Sequence, residues 1–386
     1  MSAALAPALA VIGAGQLARM MASPANELGV RLRLLAESPD ASAAQVIVDQ
    51  QVGDHRDLAA LRRIVEGCAA VTFDHEHVPT EHLRALEADG VPVRPGPDAL
   101  VHAQDKAVMR QALTGLGVPC PRHRVVDSAT EVAEFGFPCV LKTTRGGYDG
   151  KGVWVVRSIA EVDEPLRVAA EAGVAVLAEE LVDFTRELSV LVARSPSGQA
   201  AAYPVVESRQ RDGVCHEVIA PAPDLDPVLA GEAQRIGLTI AGELGVVGIL
   251  AVELFETTDG RVLVNELAMR PHNTGHWSQD GAVTCQFENH LRAVLDLPLG
   301  SPEPRDRWTV MVNILGGDVD AGRLYDGYPH VMARDPRLKV HLYGKGLRPG
   351  RKVGHVNAYG DDLEDCLQRA RHAAAWFRGD LGDESD

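Results

Sequence analysis

The sequence predicts an α/β and α+β protein in three parts: a parallel-sheet α/β domain over residues 1–97, a strand-rich central region over 98–297, and a small β-rich C-terminal domain over 304–386. Three observations carry this reading. Strands and helices alternate in the first part, which implies a parallel sheet covered on both faces. Strands dominate the middle, where the loops are dense in glycine. Val91-Pro92-Val93-Arg94-Pro95-Gly96-Pro97 and the run LPLGSPEP at 297–304 punctuate the chain as linkers do.

The elements follow in order. Leu9 to Ile12 reads as a strand, GAGQLARMM at 13–21 opens a helix, and Val30 to Ala36 gives a second strand. A helix over 56–66, a strand over 69–73 and a helix over 80–88 complete the first part. One helix spans 98–115. Strands are expected at 138–142, 152–156, 174–180, 187–194, 246–256 and 261–267, with a helix near 281–295. The last part holds strands near 308–315, 338–343 and 353–358 and a helix at 361–377 before a short acidic tail. No internal repeat is visible.

The 386 residues carry a formal net charge of -16, which disfavours a nucleic-acid or anionic-membrane partner because both need a positive field. The six cysteines are scattered without close Cys/His spacing, so neither structural zinc nor a disulfide framework is indicated. No apolar run of about 20 residues spans a bilayer, and the N-terminus lacks a secretory pattern; a cytoplasmic protein is expected.

The most informative stretch is VVGILAVELFETTDGRVLVNELAMR. Asp259-Gly260 predicts a two-residue type I′ hairpin, and counting outward from Thr258 opposite Arg261 sets Glu253 opposite Glu266. Two facing carboxylates among apolar residues repel unless protonated or bridged by a cation, and Mg²⁺ favours such oxygen ligands. The alternative is a wet hairpin face with unrelated acids, and a slip of one residue would part the pair. Lys106 lies on the helix beginning near Asp98, and Lys142 closes the apolar strand before Gly146-Gly147-Tyr148-Asp149-Gly150-Lys151-Gly152. That glycine density suits close approach to phosphates, although it is not a P-loop; glycines alone make only a surface turn, but beside Lys142 and the acid hairpin a phosphate-covering flap is the better reading. Glu179-Glu180-Leu181-Val182 and Glu187 are weaker candidates for adenosine. Gly13-Ala14-Gly15-Gln16-Leu17-Ala18, with Glu37 beyond it, fits a dinucleotide fingerprint, any phosphate turn, or merely a tight turn.

Taken together, GAGQLARMM, QDKAVMR, LKTTRGGYDGKG, ELSVLVAR, NELAMRPHNTGHW, QFENHLRA and RPGRKVGHVNAYG resemble the N5-carboxyaminoimidazole ribonucleotide synthase family of ATP-grasp enzymes. The resemblance implies a central region of two lobes enclosing ATP, a dimer, and the substrates aminoimidazole ribonucleotide and bicarbonate. It places Lys106 and Lys142 on the phosphates and Gly147, Tyr148, Asp149, Gly150, Lys151, Gly152 and Val153 in a flap. Glu179, Glu180, Leu181, Val182, Glu187 and Gln210 fall to the nucleotide, with Asn265 and Glu266; Glu253 and Glu266 fall to Mg²⁺. Gly15, Gln16, Leu17, Glu76, Tyr148, Arg270, His272, Asn273, Lys345 and Arg351 fall to the substrate. Asp149, Arg270, His272 and Lys345 are the implied catalytic set. The chain departs from the family pattern at Met269, Thr274 and Val153, and it matches least over 207–211.

Overall fold

The computed structural model describes residues 6–147, 150–211, 213–317 and 321–381, so the expected roles of Tyr148 and Asp149 lie outside the described residues. In the N-terminal part, Gln50–Val52, Arg31–Ala36, Ala8–Ile12 and Ala70–Phe73 form a parallel four-stranded sheet in that order. Strand Ala8–Ile12 is buried throughout. Leu9 and Val11 pack with Leu17 and Met21 of helix Gln16–Glu27, while Ala10 and Ile12 pack with Leu61 and Ile64 of helix Leu58–Val65. Alternating residues of one strand thus serve two helix layers, which is why the strand shows no polar face. The edge strand Gln50–Val52 is three polar-to-mixed residues long, too short to announce itself in sequence.

The helix expected over 98–115 is two helices, Pro97–Gln104 and Lys106–Gly115. Asp105 breaks it. Its carboxylate accepts from the Ala107 and Val108 amides, making it the N-cap of the second helix. The break makes Lys106 a helix-opening residue whose own amide donates to the Thr144 carbonyl at 2.8 Å. Lys106 and Arg110, one turn apart, then share a face.

The central region holds two antiparallel sheets. His123–Val126, Val176–Glu180, Cys139–Thr143 and Val153–Val156 make the smaller one, backed by helices Ala129–Phe135 and Asp163–Ala172. The larger runs Val262–Ala268, Gly248–Thr257, Phe184–Arg194, Val206–Arg211, Val214–Ala220, Trp308–Leu315, Lys352–Gly360 and Lys339–Leu342, with Ala200–Ala202 pairing to Phe184–Arg194. The segment after 304 therefore shares its sheet with the central region, Glu217 pairing with Val312. Helix Leu363–Arg378 covers one face of these C-terminal strands through Val310, Val312, Val356 and Ala358. Their other face, polar except for Met311, packs on the segment around 276–282, where Met311 meets the Trp277 cluster.

Candidate active site

The hairpin places Glu253 opposite Glu266, but by a route the turn count misses. Only Gly260 has positive φ, at 78°, and Thr257 pairs with Arg261 around a three-residue loop. That shifts the register by one from the expected two-residue turn. A bulge beyond Leu254↔Val264 then makes Asn265 the extra residue and restores the Glu253↔Glu266 pairing. The two offsets cancel, and the bulge frees Asn265 to point its amide at Lys142.

Two lysines flank this pair. Lys106 Nζ lies 3.0 Å from Glu266 Oε1, and Lys142 Nζ lies 3.1 Å from Asn265 Oδ1 and 2.7 Å from Glu179 Oε2. Burial, then the Glu266 and Glu187 carboxylates, push the Glu253 carboxyl up to about 8, with Lys352 and Arg270 opposing. Above Lys142 the glycine loop returns close to its strand: the Thr143 amide donates to the Gly152 carbonyl, and a Cβ on Gly147 would stand 2.7 Å from the Lys151 carbonyl.

The Glu179 carboxylate is engaged within the protein. It is 2% exposed and lies beneath the lysine, gripped by Lys142 and by Arg110 Nε at 2.5 Å. Burial alone would raise its pKa, yet the two cations bring it down to about 2. Arg110 also donates 2.8 Å hydrogen bonds to the Val264 and Asn265 carbonyls, so one buried guanidinium ties the phosphate-side lysine to the bulged strand. Glu180 is likewise engaged, accepting from the Arg122 amide at 3.0 Å. Beyond the strand end, Leu181 is 41% exposed and Val182 partly so, and further on Phe184 stacks on Phe255 with ring centroids 4.7 Å apart. Glu187, half-buried on the same strand as Phe184, has its carboxyl pushed up to about 7 by desolvation, with a hydrogen bond to Gln210 opposing. Gln210 in turn donates to Ser208 at 3.1 Å, at a bulge in its strand.

On the other side of Glu253 lie the residues expected at the substrate. Glu76 accepts from the Met269 amide at 2.7 Å and from Arg270 Nε at 3.2 Å, orienting that guanidinium. His272 Nδ1 takes the Thr274 hydroxyl at 2.9 Å, leaving Nε2 3.4 Å from Glu253. Burial, with Arg270 and Lys352 adding, holds its imidazole well below the usual range, so it is neutral. Gln286 clamps the loop, accepting from the His272 amide and donating to the His272 carbonyl, both at 2.8 Å. Asn273 is buried within the same loop. Lys345 is hydrogen-bonded to Gln16, and burial lowers its pKa to about 8 despite nearby Asp74. Arg351 is exposed, with Nη1 on the Gly346 carbonyl at 3.1 Å.

The glycine turn of the first strand is not left open for a dinucleotide. Asp74 accepts from the Gly15 and Ala18 amides at 3.0 and 2.8 Å, occupying the start of helix Gln16–Glu27 with the protein's own carboxylate. A Cβ on Gly15 would meet Asp74 Oδ2 at 2.2 Å, which explains the glycine. This removes the physical basis for the dinucleotide reading. Leu17 is buried behind the turn, and the Gln16 side chain faces the site.

Three residues with work at this site escape sequence reasoning: Arg110, Gln286 and Asp74. Arg110 carried one usable signal, its place one turn from Lys106 on the same helix. Lys352 belongs with Lys345, Arg348 and Arg351 to a basic cluster whose sequence suggests a ribonucleotide phosphate, and its charge also acts on Glu253, Cys215, His272 and His276.

Two lobes, one a small antiparallel sheet with a glycine loop and the other the large sheet bearing paired acids, define an ATP-grasp ligase. Family models agree: an ATP-grasp domain matches residues 111–287, a ribonucleotide synthetase preATP-grasp domain 7–104, and a phosphoribosylaminoimidazole carboxylase C-terminal domain 309–369. The N5-carboxyaminoimidazole ribonucleotide synthase of Mycobacterium tuberculosis is 55% identical over 378 residues, covering 97% of this chain and 88% of that protein. A crystal structure of an N5-carboxyaminoimidazole ribonucleotide synthetase in complex with ADP matches with TM-score 0.88 and 37% identity, covering 99% of this chain and 100% of the other. The Aspergillus clavatus synthase in complex with ADP and 5-aminoimidazole ribonucleotide matches with TM-score 0.87 and 29% identity, covering 97% and 99%. The chain belongs to the N5-carboxyaminoimidazole ribonucleotide synthase family.

Proposed function

We propose that this chain is a cytoplasmic, homodimeric ligase that uses ATP and bicarbonate to carboxylate the exocyclic amine of aminoimidazole ribonucleotide, through carboxyphosphate, in purine biosynthesis. The observation that carries it is the contiguity of two clusters across Glu253. Lys106, Lys142 and Glu266 lie on one side; Arg270 and His272 lie on the other. No described helix is long and apolar enough to cross a membrane, as a soluble site of this kind requires.

The residues fit Mg²⁺. Glu253 and Glu266 offer hard oxygen donors whose mutual repulsion a cation would relieve. Among the described residues no three His, Cys, Asp or Glu side chains gather as a self-contained metal cage, so Glu253 and Glu266 would hold the ion together with the nucleotide's own phosphate oxygens. When bound, the ion neutralises charge on the β- and γ-phosphates.

This chain's own groups supply the rest. Lys106 and Lys142 hold the phosphates, the second lysine positioned by Glu179 and Arg110. Leu181 and Val182, with Phe184 and Phe255, receive the adenine, and Glu187 with Gln210 the ribose. The 146–152 loop closes over the phosphates and excludes water, which protects carboxyphosphate from hydrolysis. Arg270, oriented by Glu76, presents its planar donors to bicarbonate and then to carboxyphosphate, with His272 and Asn273 beside it. Lys345, Gln16 and Arg351 hold the ribonucleotide phosphate, and Asp149 takes the proton of the attacking amine.

The test is ADP release measured with each pairing of aminoimidazole ribonucleotide or glycinamide ribonucleotide with bicarbonate or formate. Turnover is expected only with the first of each. Turnover that requires glycinamide ribonucleotide and formate would instead establish a formyl-phosphate transferase, and ATP binding without turnover a regulator.

A further inference from the structure

Behind the substrate loop lies a buried polar layer that the reaction just described does not use. It forms because the C-terminal strands present their second face, Thr309, Asn313, His355 and Asn357, to the segment around 276–281. Asn313 pairs directly with His355, and His341 pairs with His355 from the other side. The rings form a column: His276 stacks on His355 with centroids 5.0 Å apart, and His355 stacks on His341 at 4.5 Å. At the outer end His341 Nε2 lies 2.8 Å from Asp280 Oδ2, and its side chain is 26% exposed. At the inner end Gln286 Nε2 donates to His276 Nδ1 at 2.9 Å and to the His272 carbonyl at 2.8 Å.

The layer has more polar atoms than protein partners. His276 Nε2, His355 Nε2, Asn313 Oδ1, Asn357 Oδ1 and Thr309 Oγ1 are all buried with no hydrogen-bond partner among the described residues. The bonds that do exist fix what each orphan needs. Asn357 Nδ2 donates to the His276 carbonyl and to Asp280, so its oxygen is left to accept. Gln286 donates to His276 Nδ1, so His276 Nε2 carries the hydrogen and is left to donate. Five dry orphans would cost about as much as a domain's whole net stability. Bound water, which needs two to four polar partners per molecule, resolves this.

We infer that this layer is a hydrated proton path, leading from the substrate loop through His276 and His355 to the His341–Asp280 pair at the surface. The inference rests on the carboxylation reading, whose balance requires such an exit. ATP⁴⁻ and HCO₃⁻ give ADP³⁻, carboxyphosphate carrying three negative charges, and one H⁺. Attack by the amine then gives the carbamate and HPO₄²⁻, the amine proton passing by way of Asp149 to the departing phosphate. One proton per turnover therefore has to leave a site closed against bulk water. Lys352 and Arg270 act on His276 from the site side, and burial keeps both His276 and His355 neutral. Gln286 holds His276 Nδ1 and the Tyr343 hydroxyl meets His355 Nδ1 at 2.7 Å, so each ring turns its Nε2 edge to the waters, which carry the proton past the rings.

The experiment is single-turnover stopped flow with a pH-indicator dye, following proton appearance and ADP formation together. In the wild type the two coincide. In His341→Ala proton appearance lags behind ADP by about tenfold in weak buffer, and added imidazole abolishes the lag. A merely structural role would slow both signals equally and would not respond to imidazole. Coincident signals in His341→Ala at low buffer overturn the path. Should this variant melt lower than the wild type, His341→Asn, which can still donate to Asp280, carries the same test. Wild-type ADP formation independent of bicarbonate would refute the reaction reading instead. Independently, a high-resolution crystal structure should show waters on His276 Nε2, His355 Nε2 and Asn357 Oδ1, and a dry layer overturns the path whatever the reaction.

Discussion

Replacing Glu179 by glutamine probes the buried charge cluster under the phosphate site. The carboxylate side chain is 3% exposed, 2.5 Å from Arg110 Nε and 2.7 Å from Lys142 Nζ. Its pKa falls to about 2 from an ordinary 4.5, because the two cations outweigh burial. At about 1.36 kcal/mol per pH unit that difference is worth about 3 kcal/mol. Glutamine preserves the shape but leaves two buried cations unbalanced, so the loss at neutral pH is about 3–5 kcal/mol. A folded value below the unfolded one means the stabilisation is complete above about pH 4.5 and disappears as the pH falls through about 2. Urea unfolding of both proteins between neutrality and about pH 3.5 should therefore show the gap between them narrowing by about 1 kcal/mol. The KM for ATP should rise with it, since Lys142 loses its anchor. A gap that stays constant with pH, or a neutral-pH loss under about 1 kcal/mol, refutes the assignment of Glu179 as the ionised support of Lys142.

The remaining expectations concern the metal and the substrate phosphate. Glu253→Gln and Glu266→Gln should each lower kcat on the order of a hundredfold and raise the Mg²⁺ concentration needed for half-maximal ADP release; an unchanged Mg²⁺ titration in both removes the pair from the metal site. Lys345, with its pKa lowered to about 8, is charged below that value and neutral above it. The KM for aminoimidazole ribonucleotide should therefore climb as pH rises through about 8, while Lys345→Arg flattens the profile. An equally steep profile in the arginine variant would assign the titration elsewhere.

Part of this site was legible because its chemistry is written in local spacing. Glu253, Asn265 and Glu266 lie on one hairpin, and Lys142 precedes a glycine loop. Even there the reading was right for an incomplete reason. The three-residue turn and the bulge each displace the register by one, and their cancellation depends on a backbone conformation that turn propensity does not encode. Glu179 shows the opposite case. Its motif follows a strand as an adenine-binding segment would, but which way its carboxylate points depends on Arg110, 69 residues earlier in the chain.

The amino-acid sequence by itself determined the alternation of the first domain, the strand-rich middle, the acid pair and the motifs that place the chain in its family. These rest on period, turn residues and short spacing, which act within a few residues. Only the tertiary structure decided that Asp74 fills the glycine turn, that Asp105 splits a helix to aim Lys106, and that the C-terminal strands complete the central sheet. It alone brought His276, His355 and His341 into one column. Those outcomes come from pairings between residues far apart in the chain, where burial leaves a charge or a polar group no choice but to find a partner.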